Sequence, residues 1–252
     1  MSIYSIIQSD DPKIIVALDY PDAHQALQFV SQLTPSLCAL KVGKELFTAA
    51  GPQFIEKLVA QNYRVFLDLK FHDIPTTVAK ACKVAAMLGV WMIDIHAFGG
   101  LKMMEAARNA IDATSGKKPL LIAVTVLTSF SEADLQAIGI HEGIEATVLN
   151  LAKTAQSAAL DGVVCSPHEI QLLRANCNPE FTLVTPGIRL QQDILTQEQS
   201  NHEQSVRHDD QTRIMTPSQA LTAGANYLVI GRPITQAHDP LKQLQLINEN
   251  IN

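Results

Sequence analysis

This sequence has no surplus of positive charge. Lysine and arginine number 19 against 25 aspartates and glutamates, a net charge of -6. No basic block and no aromatic-basic stripe interrupts the chain, which argues against nucleic-acid binding. Cysteine is scarce: Cys38, Cys82, Cys165 and Cys177 are scattered with no C-x-x-C pair. They read as reduced thiols in or near the core of a cytoplasmic protein. No apolar run reaches the roughly 18 residues a membrane span requires. The opening "MSIYSIIQSDDPK" has neither a basic n-region nor a long apolar h-region, so no secretory signal is expected. There is no H-E-x-x-H and no metal-ligand cluster of histidines, so no metal is expected. No linker-like shift in composition divides the chain, and residues 1–252 are expected to form one domain.

What the chain does contain is alternation. Short β-branched runs occur at 14–19, 38–43, 65–70, 91–97, 120–126, 162–166, 181–186 and 227–232. Amphipathic segments lie between them, among them "PQFIEKLVAQ", "PTTVAKACKVAAML", "GLKMMEAARNAI" and "ATVLNLAKTAQSAA". In the last, Val148, Leu151, Ala152 and Ala155 recur at helical spacing. The closing "PLKQLQLINENI" reads as a final helix. Strands alternating with helices imply parallel pairing, and eight such units in 252 residues imply a closed (β/α)₈ barrel. A doubly wound open sheet is the alternative, with fewer strands as a rule. Two connections are oversized. Residues 128–145 are expected to hold an extra helix, and residues 187–215 form a long polar loop of the kind that carries function.

Chemistry in such barrels gathers at the C-terminal strand ends. Those ends read Asp19, Lys41, Asp68 with Lys70, Asp94 with His96, Thr125 with Thr128, Ser166, Thr185 to Arg189, and Gly231 with Arg232. Side chains alternate along a strand, so Phe66, Asp68 and Lys70 share the face toward the barrel, while Leu67 and Leu69 point to the helices. Charges in that position are costly unless paired, and Asp19 and Lys41 are the available partners. Such a set can be a structural ion-pair network; enzymes also concentrate perturbed charges at such places. "VIGRPIT" places Gly231 and Arg232 after the eighth strand, before a helix, where these barrels often bind phosphate. "TPGIR" adds Arg189. His72 and His96 read as structural or hydrogen-bonding residues more than as catalysts, and Asp94 as a supporting residue.

The segment "DLKFHDIPTTV" resembles the signature of the orotidine 5'-phosphate decarboxylase family. The resemblance spans nearly the whole chain through "VALDY", "LKVGKELF", "DIHAFGG", "VTVLTS", "DGVVCSPHE", "VTPGIR" and "VIGRPIT", and is nearest the bacterial branch. It implies that orotidine 5'-phosphate loses CO₂ to give uridine 5'-phosphate, the last step of pyrimidine nucleotide synthesis, without a cofactor. It also implies roles. Asp19 would hold the ribose hydroxyls; Lys41, Asp68 and Lys70 would form the charge array. Asp73 would enter the partner subunit's site in a homodimer, accompanied by Ile74 and Thr77. Thr128 would contact the pyrimidine or ribose region, and Arg189, Gln211, Gly231 and Arg232 would grip the phosphate. Lys70 would steady the carbanion at ring carbon C6 and then protonate it.

Three rivals compete. Related sugar-phosphate decarboxylases and aldol-type synthases share an Asp-x-Lys-x-x-Asp segment but work with Mg²⁺ and an enediolate; "HDIPTTV", "VTPGIR" and the long seventh loop favour the pyrimidine enzyme. A Schiff-base aldolase would use Lys70 or Lys41 as a nucleophile, a poor role for an ammonium hemmed in by carboxylates. A catalytically dead nucleotide-binding barrel is opposed by the complete charge set.

Overall fold

The computed structural model describes residues 11–190 and 214–251. The β-branched runs form strands β1 (Ile14–Ala17), β2 (Ala39–Gly43), β3 (Val65–Phe71), β4 (Met92–His96), β5 (Leu120–Val124), β6 (Gly162–Val164), β7 (Thr182–Thr185) and β8 (Tyr227–Ile230). All neighbours pair in parallel, and β1 pairs with β8 through Ile14 and Leu228, closing the barrel. This is the expected (β/α)₈ architecture. Most strands end one or two residues before the apolar run does. The polar residues at those ends, such as Asp19 and Ser166, thereby stand past the ladder, on the rim.

Local chemistry starts the intervening helices. Pro52, Pro75, Pro217 and Pro240 occupy first-turn positions, where a missing N–H costs nothing. Asp22 accepts the Gln25 N–H at 2.9 Å, and Thr216 and Gln219 form a reciprocal capping box. The connection after β5 contains the expected extra helix, Glu132–Ala137, capped by Ser131 and Asp134. Helices Ala23–Val30 and Lys44–Ala50 also form, outside the amphipathic segments read from the sequence. Both are short, and Lys44–Ala50 buries only Leu46, so neither displays enough turns for its periodicity to stand out.

Alternation divides the apolar residues into two cores. Ile15, Ala39, Phe66, Met92, Ile122, Val184 and Val229 fill the barrel. Val16, Leu40, Leu67, Ile93, Ala123, Val163, Leu183 and Leu228 face the helices. Glycine is required at one close approach: a Cβ on Gly162 would lie 2.0 Å from the Thr182 carbonyl oxygen on β7. The fully buried Phe66 and Met92 cap the interior from below. The next inward residues on their strands, Asp68 and Asp94, therefore stand at the mouth.

Candidate active site

Five ionisable side chains, carboxyl and ammonium in alternation, stand across the ends of β1 to β4. Lys41 Nζ lies 3.6 Å from Asp19 Oδ1 and 3.2 Å from Asp68 Oδ2. The Lys70 ammonium donates to Asp68 Oδ1 and stands 4.0 Å from Asp94 Oδ2. Asp68 is 8% exposed and Asp94 fully buried, whereas Asp19 is open to solvent. The pairing of Asp19 and Lys41 with Asp68 and Lys70 follows the sequence expectation. A cavity of about 330 Å³ opens beside the array, lined by Asp19, Lys41, Gly43, Lys44, Asp68 and Lys70. Gly43 leaves room there, since a Cβ on it would approach Lys41 Nζ to 3.4 Å.

The charges tune one another. Burial works to raise the Asp68 pKa, but Lys41, a hydrogen bond from Asp94 and Lys70 outweigh it and hold the carboxyl well below the ordinary carboxylate range. Burial would lower Lys41, yet Asp68 and Asp19 raise it above the usual lysine value. Asp68 is thus an anion held between two cations.

Lys70 reaches Asp68 by a route that alternation does not foresee. Its φ is +50°, a left-handed conformation rare for a residue with a Cβ. The ladder between β3 and β4 pairs Leu67 with Ile93 and resumes only with Phe71 and Ile95. Three residues of β3 therefore face Asp94 alone. The shared face of Asp68 and Lys70 is real, but a bulge makes it rather than a regular pleat.

His96 ends β4 with its ring 5.5 Å from that of His72 and 5.6 Å from Phe98. Burial, then His72 and Lys70, lower its pKa to about 4, so the ring is neutral near pH 7. Its Nδ1 has no hydrogen-bond partner among the described residues. A hydrogen bond is thus not made at that nitrogen, while the ring lies beside those of His72 and Phe98, in keeping with the structural role expected of it.

The remaining expected site residues lie farther out. Asp73 is exposed and accepts the Ile74 N–H at 2.6 Å. Ile74 is 64% exposed, and Thr77 is exposed on the first turn of helix Pro75–Met87. Thr128 is half-buried in the turn after β5. Arg189 is buried where the long seventh connection begins; its Nη1 donates to the Ile188 carbonyl and its N–H to the Met215 carbonyl. Gly231 adjoins the array, because a Cβ on it would lie 3.6 Å from Asp19 Oδ2. Arg232 follows it, exposed, at the start of helix Arg232–Thr235. Gln211 lies outside the described residues. The sequence reading missed Lys44 and Gly43 as cavity-lining residues. Both stand within "LKVGKELF", directly after Lys41, so their position past β2 was the available signal.

The family model for the Orotidine 5'-phosphate decarboxylase / HUMPS family matches residues 12–247. A protein of Tolumonas auensis named orotidine 5'-phosphate decarboxylase is 56% identical over 238 residues, covering 94% of this chain and 97% of its own. One of the same name from Legionella pneumophila (strain Corby) is 54% identical over 229 residues, covering 91% and 94%. The crystal structure of orotidine 5'-phosphate decarboxylase from Lactobacillus acidophilus superposes with a TM-score of 0.82 at 37% identity, covering 96% of this chain and all of that one. With its barrel closed and the charged residues of "DLKFHDIPTTV" at its mouth, this chain belongs to the orotidine 5'-phosphate decarboxylase family, in its bacterial branch.

Proposed function

We propose that the chain decarboxylates orotidine 5'-phosphate by fixed electrostatics, with Lys70 as both carbanion stabiliser and proton donor. Loss of CO₂ to give uridine 5'-phosphate, in pyrimidine nucleotide synthesis, is the activity that family membership and the named relatives support. The chemical difficulty is the electron pair left at ring carbon C6, which has no adjacent sink. A preorganised ammonium answers it twice. Lys70 offsets the charge as it develops, then gives up its proton to C6 while the electron pair forms the new C–H bond. The observation that carries this reading is the Asp19–Lys41–Asp68–Lys70 array beside the cavity.

Asp68 has two possible contributions. Lying near the departing carboxylate, it would repel a like charge about 4 Å away by roughly 4 kcal/mol at an effective dielectric near 20. Its contact with Lys70 favours positioning, the role we assign it. Asp19 holds the ribose hydroxyls and Thr128 the pyrimidine or ribose region. Gly231 and Arg232 take the phosphate, joined by Arg189 and Gln211 from the long connection. Phosphate contacts remote from C6 lower the barrier when they drive closure around the reacting ring.

The working unit in this reading is a homodimer in which Asp73, Ile74 and Thr77 complete the partner's site. Support comes from the apolar surface continuing past them. On helix Pro75–Met87, Val84 is 61% and Met87 73% exposed, and with Thr77 they recur at helical spacing on one face. We assign the reaction no metal or organic cofactor, and the cell compartment is the cytoplasm. Among the described residues no helix is long and apolar enough to cross a membrane. The deciding experiment is turnover of orotidine 5'-phosphate after exhaustive dialysis against a chelator. An unchanged rate is expected; a rate restored only by Mg²⁺ would transfer the chain to the sugar-phosphate group.

A further inference from the structure

We propose that Asp94 is a second positioning residue for Lys70, beside Asp68: a neutral carboxylic acid that clamps the Lys70 backbone through one oxygen and donates its proton as a hydrogen bond to Asp68 through the other. The proposal deepens the reading above and rests on Lys70 being the acid.

The backbone supplies the first argument. In the bulge between Leu67 and Phe71 the regular ladder to β4 is broken, and Lys70 adopts φ +50°. An N–H displaced from a ladder inside a barrel needs another acceptor. Asp94 Oδ1 provides it, accepting the Lys70 N–H at 2.8 Å. The left-handed backbone, costing about 1–3 kcal/mol, persists where surrounding structure fixes it. Here the fixing group is a side chain from the neighbouring strand. The same contact sets where the Lys70 stem leaves the strand, and so where its ammonium stands above Asp68.

The second oxygen supplies the other argument. Asp94 is fully buried, and as a carboxylate its Oδ2 would have no hydrogen-bond donor among the described residues. Lys70 Nζ, at 4.0 Å, is beyond hydrogen-bond reach. Asp68 and Asp94 act on each other through a side-chain hydrogen bond, which two carboxyls make only with a proton between them; with Oδ1 taken by the Lys70 N–H, Oδ2 is the oxygen left to carry it. That proton resides on Asp94. Burial and the Asp68 charge both raise the Asp94 pKa well above the usual value, whereas Lys41 and Lys70 keep Asp68 ionised. Among the described residues no other donor reaches that oxygen. β3 presents Asp68 and Lys70, and β2 the more distant Lys41. Helix Pro75–Met87 presents Cys82, a thiol pushed up to about 12 chiefly by burial. β5 places Ile122 opposite, with no titratable side chain in the strand. His96, on β4 itself, is neutral. The Asp94 proton stays in place through turnover; C6 receives its proton from Lys70.

Isotope-edited infrared spectra of the full-length chain test the protonation directly. The carbonyl stretch of a protonated carboxylic acid is expected near pH 7 in the wild type and should vanish in Asp94→Asn. Its absence from the wild type, or its persistence in the variant, would overturn the proposal whatever the activity shows. Kinetics test the positioning. Asn keeps an acceptor for Lys70 and a donor for Asp68, so Asp94→Asn should hold kcat within about threefold and lose any alkaline fall in rate caused by Asp94 ionisation. Asp94→Leu can do neither, and should lose about 10²-fold in kcat with little change in KM, the scale of a misplaced reacting group. Equal losses in the Asn and Leu variants would overturn it. If Lys70→Ala retained turnover, the reading of Lys70 would fail while the infrared result stood unaffected.

Discussion

Both ends of the barrel hold a cluster of mixed charges, and the two are built differently. At the N-terminal ends of the strands, Asp11 accepts from Arg64 at 2.6 Å, Tyr227 at 2.8 Å and Lys13 at 2.8 Å. Trp91 meets Tyr227 edge-on at 4.9 Å, and Arg64 stacks over Trp91. One carboxylate there is shared by two cations and a phenol, and Asp11 keeps 41% side-chain exposure. At the opposite end three carboxyl groups share two ammoniums, with Asp94 fully buried and Asp68 nearly so. That end also carries the left-handed residue, the broken ladder and the cavity. Wet, satisfied pairs are cheap and close the barrel base. Dry, acid-rich pairs are costly and persist where something other than stability requires them. Ion pairing at a barrel end is therefore no sign of catalysis by itself; buried ionisable groups beside a cavity and a strained backbone are.

The largest effect expected from sharpening this contrast concerns what the mouth borrows from a second copy. Lys70→Ala and Asp73→Asn should each be inactive alone. When their subunits exchange at equal amounts, each mixed dimer holds one site with an intact Lys70 and an intact borrowed Asp73. Two-fold symmetry then restores about a quarter of all sites. A mixture as inactive as its parents, with exchange verified, would refute the sharing of Asp73.

A smaller effect is expected at the phosphate end of the mouth. Arg232→Ala should lower kcat/KM for orotidine 5'-phosphate by about 2–4 kcal/mol, because a charge-assisted contact is removed. A substrate lacking the phosphate should lose far less. Identical losses on both would remove Arg232 from phosphate binding. At the base the response should be the reverse in kind. Asp11→Ala strips Arg64, Lys13 and Tyr227 of a shared acceptor and should cost about 1–3 kcal/mol of stability with kcat unchanged. A fall in kcat at constant stability would break the division between the two ends.

The architecture was legible because each strand run and most helical faces carry their own period, and the caps and first-turn prolines mark boundaries locally. The charge array was legible for a related reason: Asp68 and Lys70 lie two residues apart, and Lys41 and Asp19 end adjacent strands. What alternation could not supply is the bulge. A left-handed lysine has no local sequence mark, and its stabilising acceptor, Asp94, is 24 residues away on another strand. The base cluster escaped for the same reason. Asp11, Arg64, Trp91 and Tyr227 meet only once the barrel closes, and nothing in any one segment joins them.

The central claim is that the mouth is charged for chemistry and not for stability, and Lys70→Ala tests it most directly. Turnover of orotidine 5'-phosphate and thermal melting would be followed on the same preparation. Loss of both the fixed cation and the proton donor predicts a fall in kcat of at least about 10³-fold, with melting within a few degrees of the wild type. Near-normal turnover in that variant would contradict the account.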